Sequence, residues 1–178
     1  KMKNLTIIIV TYHTKKNVLM NCLNSINKKI KILIVENSKN FKNKDLFLKK
    51  FKNIKILCTG VNLGYGKANN IGLNNVKTNF AFILNPDVVL KNNTIDELNR
   101  NIQLNKKFSI LSPISSNIKY PNYKRINNDE KLNRSLKPFE VKSIDGYAML
   151  FNIKKIDLIL KKKNFNKNKK YFDENFFM

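Results

Sequence analysis

Three clusters of polar residues carry the chemistry this chain could do. Asn85-Pro86-Asp87 closes the apolar run 80–84 (FAFIL). Proline cannot donate to a strand ladder, so pairing should lapse at Pro86 and leave the Asp87 carboxylate just past a strand's carboxyl end. In open α/β sheets ligands bind at that edge. Glu36-Asn37-Ser38 closes a second apolar run, 30–35, with another carboxylate. Between them lies 60–72, GVNLGYGKANNIG, whose glycines permit positive φ and close backbone approach. A helix starting near Tyr65 or Gly66 and running to about Val76 would turn free N–H groups toward an anion. Two carboxylates, backbone amides and a helix amino end together suit a nucleotide diphosphate. Asp87 would hold a divalent ion, Mg²⁺ or Mn²⁺, against its phosphates. Each cluster also makes ordinary punctuation, since Asn, Pro and Asp favour turns and small residues pack helices. The glycine loop is not a Walker A loop, because Ala68 stands where Ser or Thr must follow Gly66-Lys67. Glycines at 60, 64 and 66 do not have dinucleotide-fingerprint spacing either.

The elements that must position these groups alternate. Residues 5–10 (LTIIIV) predict a first strand, ended by Thr11-Tyr12-His13-Thr14. Val18, Leu19, Cys22, Leu23 and Ile26 share one helical face, with Thr14 or a neighbour as the cap. Strand 30–35, helix 44–51 and strand 54–58 follow. This β-α-β-α-β order is that of a parallel sheet with helices on its faces. The chain should resume as a strand at Val88-Val89-Leu90. Thr94 and Glu97 have capping-box spacing ahead of a helix that buries Ile95, Leu98 and Ile102. Strand 108–111 stops at Pro113, and 115–138 is a long polar loop. A short strand, 141–144, leads into Asp145-Gly146-Tyr147-Ala148, and Ile153, Ile156, Leu158 and Ile159 mark a last helix. The ends of the first four strands (Thr11-Tyr12, Glu36-Asn37, Asn62 with its loop, Asn85-Pro86-Asp87) should open on one rim.

The 178 residues suit one domain with a real core, and 42% hydrophobic with 26% charged residues is a globular balance. The formal charge of +23, from 35 basic and 12 acidic residues, favours anionic partners: nucleic acid, acidic lipid or phosphorylated substrates. A lysine-rich genome would produce the same charge, for the lysines are spread along the chain. The densest run is 161–170. No apolar run approaches the ~18 residues of a membrane span, and 5–10 is too short for a signal peptide. Cys22 and Cys58 lie far apart in apolar settings and read as small buried hydrophobes in a reducing compartment. A structural zinc site has no ligand spacing to support it. No nucleic-acid motif appears and the aromatics sit within apolar runs, which argues against a basic nucleic-acid module as the alternative function.

In order and spacing, IIIVTYHT, LIVENS (33–38), NLGYGKANNIG (62–72), LNPDVVL (84–90), DGYAMLF (145–151) and YFDENFFM (171–178) resemble the family 2 glycosyltransferases of the GT-A fold. Their rhamnosyltransferase-like branch is the nearest in pattern. The resemblance implies an α/β fold with a Rossmann-like, mainly parallel sheet and helices on both faces. It implies a single domain, with a nucleotide-binding half over 1–112 and an incomplete acceptor and sugar-binding half over 113–178. It implies inverting transfer from a nucleotide-diphospho-sugar donor to a glycan or lipid-linked acceptor in surface polysaccharide synthesis. The setting implied is the cytoplasm, with an anionic inner membrane face as a surface to sit on. Thr11, Tyr12 and Glu36 would contact the base and ribose; Asn37, Asn62, Gly64, Gly66, Ala68, Asn69, Asn85 and Asp87 would complete the donor site. Asp145, Gly146 and Ala148 would lie near the sugar and acceptor. Asn85 replaces the first acid of the family's Asp-x-Asp, leaving Asp87 as the charged metal ligand. In the family an acidic pair supplying the general base follows FDExFF, here past Met178. Lys1-Met2-Lys3 and the apolar finish read as a piece of a longer chain, or as a remnant that keeps the fold without the chemistry. The expectation is a chain that binds donor but transfers sugar poorly; Asp173 and Glu174 read as neighbours of the base.

Overall fold

The computed structural model describes residues 4–104, 107–117, 119, 121–126, 138–162 and 171–172. Most of the lysine run 161–170, the closing stretch 173–178 with Asp173 and Glu174, and much of the 115–138 loop lie outside the described residues.

The elements run β1 (Leu5–Thr11), α1 (Lys16–Asn24), β2 (Lys31–Glu36), α2 (Lys44–Lys50), β3 (Ile54–Cys58), α3 (Gly64–Asn74) and β4 (Phe80–Leu84). Then follow α4 (Thr94–Leu104), β5 (Ile110–Leu111), β6 (Tyr123–Lys124), β7 (Ser143–Ile144), β8 (Ala148–Asn152) and α5 (Ile153–Lys162). The main sheet has the order β3-β2-β1-β4-β8-β5, while β6 and β7 pair apart from it. β3, β2, β1 and β4 are mutually parallel; β8 runs antiparallel to β4, with Leu84 opposite Ala148.

Period-two burial assigns the helices to faces. Leu5, Ile7 and Ile9 of β1 point to one side, packing with Leu19, Cys22 and Leu23 of α1, Phe47 of α2, and Leu98 and Ile102 of α4. Ile8 points to the other side, with Ala68 and Leu73 of α3 and Met149 and Phe151 of β8; Ile153 and Ile156 of α5 pack against that cluster. Strands covered on both faces need continuous apolar runs, and the central strands have them. Gly72 lets α3 come down on β1, since a Cβ there would sit 2.6 Å from Ile8 Cγ2.

Several expectations are corrected. The chain does not return to strand after Asn85: Val89 is exposed, while Leu90 is buried with its N–H given to Ser25 Oγ at 3.0 Å. A turn at Pro86-Asp87 carries the chain off the sheet toward α1. Of Thr14 or a neighbour as the cap of α1, it is the neighbour Lys15 that holds the position, with no side-chain cap bond among the described residues. Thr94 is itself the first residue of α4, and the Glu97 carboxylate pairs with Arg100 at 2.6 Å instead of closing a capping box. Cys58 is exposed, because it ends an edge strand. The strand before Asp145 is only Ser143–Ile144 and belongs to the small sheet. The larger strand, β8, starts four residues later, at Ala148.

Candidate functional site

The register puts the polar tips on one rim. Thr11 stands opposite Glu36, and Glu36 opposite Cys58, at the carboxyl ends of β1, β2 and β3. β2 and β4 flank β1, so the strands carrying Glu36 and Asp87 lie two spacings, about 10 Å, apart. Antiparallel β8 enters the sheet at this same rim, and Asn85 N–H donates to Tyr147 O at 2.9 Å. Thr11, Tyr12, Glu36, Asn37, Asn62, Gly64, Asn85, Asp87, Asp145, Gly146 and Ala148 are therefore brought to one edge. Gly66, Ala68 and Asn69 go down along α3 into buried positions. Asn69 Nδ2 donates to Tyr65 O, while its Oδ1 is buried without a partner among the described residues.

These residues differ in what they can offer. Thr11 is fully buried and Glu36 is 2% exposed. The Glu36 carboxylate accepts from Thr11 Oγ1 at 2.6 Å and Ser38 Oγ at 2.5 Å. Charge-assisted bonds of this length are strong and fix the end of β2 against β1. Asn37 secures the glycine loop: its Oδ1 accepts from Leu63 N–H at 2.9 Å, and its Nδ2 donates to Asn62 Oδ1 at 2.8 Å. Asn62 Oδ1 also accepts from Gly64 N–H at 3.0 Å, and Gly64 adopts φ +78°, where a side chain would be strained. Beside this anchor opens a cavity of about 510 Å³, whose walls include Tyr12, His13, Glu36, Phe41, Lys42 and Asn62. Tyr12 is half exposed and meets His13 edge to face, and His13 holds φ 49°. An aromatic ring, two lysines (Lys39 and Lys42) and amide groups make a wall suited to a base and its anionic tail.

Asp87 is exposed on its turn, as is Asp145 across the rim. Beneath the Asp87 turn, Cys22 Sγ donates to Asn85 O at 3.7 Å. Burial, and then the Asp87 charge, pushes the Cys22 thiol up to about 12, so it stays neutral. No group of three potential metal ligands occurs among the described residues. One free carboxylate beside an amide still fits a magnesium-type ion, which takes one or two carboxylates and fills its sphere with phosphate oxygens and water. It does not fit a site built from protein ligands alone.

Sequence reasoning left three contributors without a role. Ser38 and Tyr65 were inside quoted motifs, yet their partners Glu36 and Gly146 appear only in three dimensions. Asn122, 1% exposed, holds Ser115 N–H, Ser112 Oγ and Pro113 O, and its own carbonyl accepts from Asp145 N–H. It sits in a stretch that read as featureless loop.

The chain is similar to known folds. TarS 1-349 from S. aureus matches with TM-score 0.66 at 16% identity, over 98% of this chain and 52% of that one. Its complex with UDP-GlcNAc matches with TM-score 0.62 at 15% identity, over 90% and 47%. The mannosyltransferase PcManGT from Pyrobaculum calidifontis, in complex with GDP-Man and Mn²⁺, matches with TM-score 0.63 at 12% identity, over 90% and 46%. At these identities the likeness is one of fold, the GT-A arrangement of a mainly parallel sheet with helices on both faces. The chain spans about half the length of these proteins. A sequence search among curated proteins gives no match. The model of the family described as "Glycosyl transferase family 2" matches residues 6–164. That stretch takes in every rim residue named above and the elements from β1 through α5, and the chain belongs to glycosyl transferase family 2.

Proposed function

We propose that this chain binds a nucleotide-diphospho-sugar and serves transfer of its sugar, with inversion, to a glycan or lipid-linked acceptor. The observation that carries this is the single rim: an anchored glycine loop, a cavity beside Glu36 and Tyr12, and the exposed Asp87 converge at the ends of four parallel strands. The base and ribose fit the cavity beside Tyr12 and Asn62. The diphosphate belongs between the glycine loop and Asp87. Asp87, with Asn85 beside it, would hold the divalent ion, which neutralises phosphate charge and so favours departure of the nucleotide. PcManGT, solved with GDP-Man and Mn²⁺, and TarS, solved with UDP-GlcNAc, support a donor of this class. The Asp145-Gly146 turn faces the rim from the acceptor side, with Ala148 buried behind it at the start of β8. Inversion needs a carboxylate to take the acceptor's proton as its hydroxyl attacks. Glu36 is already occupied by two hydroxyls and is not suited to that task. The branch-level resemblance makes rhamnose the first sugar to try. Surface polysaccharide synthesis at an anionic inner membrane face is the matching setting; among the described residues no helix is long and apolar enough to cross a membrane.

The test is calorimetric titration with dTDP-rhamnose, UDP-GlcNAc and GDP-mannose, each with and without Mg²⁺ or Mn²⁺. Affinity for one of them should weaken by roughly tenfold or more in Asp87→Ala, the worth of one charge-assisted contact. Binding only to an oligonucleotide, steeply dependent on salt, would support a nucleic-acid module instead.

A further inference from the structure

Helix α3 is held by groups far away in sequence. Asn70 is 5% exposed, and its side chain bonds to the backbone of Tyr171-Phe172. Its Oδ1 accepts from Tyr171 N–H and Phe172 N–H, each at 2.9 Å, and its Nδ2 donates to Phe172 O at 3.0 Å. A planar carboxamide carries its acceptor and its donor on separate atoms, so it can answer both edges of a peptide at once. The residue it pins is used in turn. The Phe172 ring meets Tyr65 edge to face at 5.8 Å and Phe151 at 5.7 Å, and Tyr171 Oη donates to Asp157 Oδ1 at 2.9 Å. Five residues before Asn70, the Tyr65 hydroxyl donates to Gly146 O. A Cβ at Gly146 would lie 3.3 Å from that hydroxyl, so the turn and the ring fit closely. At the amino end of the same helix, Asn37 and Asn62 hold Leu63 and Gly64. One helix therefore touches the donor loop, the 145–147 turn and the 171–172 segment.

We propose that Asn70 is a positioning residue for sugar transfer, clamping Tyr171-Phe172 so that the acceptor side is registered on the helix that bears the donor loop. The proposal rests on the glycosyltransferase reading above. Asp173 and Glu174 follow Phe172 directly in the sequence, so the clamp fixes the point from which they continue. Positioning matters steeply in such reactions: a displacement of about 1 Å far from the reacting atoms can lower rate about a hundredfold. If Asn70 merely packed the fold, its loss would weaken stability and leave transfer per folded molecule unchanged.

The test uses the intact protein, with Asn70→Ala and Asn70→Asp. Asn70→Asp keeps an acceptor for the two N–H groups but loses the donor and sets a carboxylate against Phe172 O. Amide hydrogen exchange at 171 and 172 should quicken in Asn70→Ala. Affinity for the nucleotide sugar that the native protein binds should stay within about twofold. The kcat for transfer to a panel of alkyl glycosides should fall on the order of a hundredfold, with Asn70→Asp between alanine and native. Unchanged exchange in Asn70→Ala would sink the clamp. Unchanged kcat in both variants, donor affinity falling in step with kcat, or a native protein that binds donor yet transfers to none of the glycosides, would overturn the positioning role. If the alanine variant does not fold, the aspartate variant decides by the same measures. If the native protein binds no nucleotide sugar, the glycosyltransferase reading fails and the catalytic part of the proposal falls with it, while the exchange data still judge the clamp.

Discussion

Glu36 brings a carboxylate to a place almost closed to water, and two hydroxyls answer it. Removing it leaves the buried Thr11 hydroxyl without its acceptor and releases the end of β2. Glu36→Ala should therefore lose ~2–3 kcal/mol in denaturant unfolding, the penalty for stripping a charged hydrogen-bond partner. Glu36→Asp, with its shorter arm, should lose part of this and weaken donor binding more than Asn43→Ala, another residue of the cavity wall. Full stability in Glu36→Ala would show that the network is not holding the rim. Cys22 gives a second test. Its thiol is buried, and burial together with the Asp87 charge pushes it up to about 12 from an ordinary 9.0. Burial likewise pushes the Tyr65 phenol up to about 12 from 10.0. In the unfolded chain both groups lose their protons earlier, so the folded state holds more protons on the alkaline side and stability falls as pH rises. The decline should begin near pH 9 and continue toward about 12. Cys22→Ala should flatten its onset, and iodoacetamide at pH 8.5 should label Cys58 while sparing Cys22 in the folded protein. The carboxylates at strand ends were legible because strand ends are legible. That Glu36 would be consumed by Thr11 was not, for the partner lies 25 residues earlier and a hydroxyl there has many uses.

At the scale of elements, α3 does the most with the least bulk. Its packing on β1 depends on Gly72, where alanine would gain up to ~1 kcal/mol of helix propensity but bring its Cβ to 2.6 Å from Ile8 Cγ2. Ile8 is fully buried and β-branched, hence stiff at χ1, and cannot swing aside. Gly72→Ala should therefore be net destabilising by ~1–3 kcal/mol, the range for overpacked cores, seen as a lowered Tm with weakened donor binding. A raised Tm would mean α3 lies further from the sheet than 2.6 Å allows. The parallel half of the sheet was readable because its strands are β-branched, apolar and separated by helical periods. The β8 strand was not, although AMLFN is as apolar. A five-residue run after a turn does not announce its direction, and only pairing with β4 shows that the chain re-enters the sheet backwards. The false strand at Val88-Val89-Leu90 errs the other way. Its β-branched letters fit a strand, but the turn at Pro86 had already carried the chain off the sheet.

The whole molecule is a strong cation, with 35 basic against 12 acidic residues. On α5, Leu158 is 53% and Ile159 40% exposed, with exposed Lys154 and Lys161 nearby. Apolar side chains between lysines can enter a headgroup layer while the ammonium groups meet anionic lipid, each worth about 1 kcal/mol close to the surface. The protein should thus sediment with vesicles containing a third phosphatidylglycerol and leave vesicles of phosphatidylcholine alone. Two contributions can be separated by salt. At 0.5 M salt the screening length is only about 4 Å, so the lysine contribution should collapse and most protein should release. Leu158→Asp should weaken binding at low salt as well, since it removes apolar insertion and adds a charge of the repelled sign. Binding equal on neutral and anionic vesicles, or indifferent to salt, would remove the charge from any role in placing this chain at a membrane face. The +23 would then stand as a property of composition, shared by every segment of the chain and chosen by none of its surfaces.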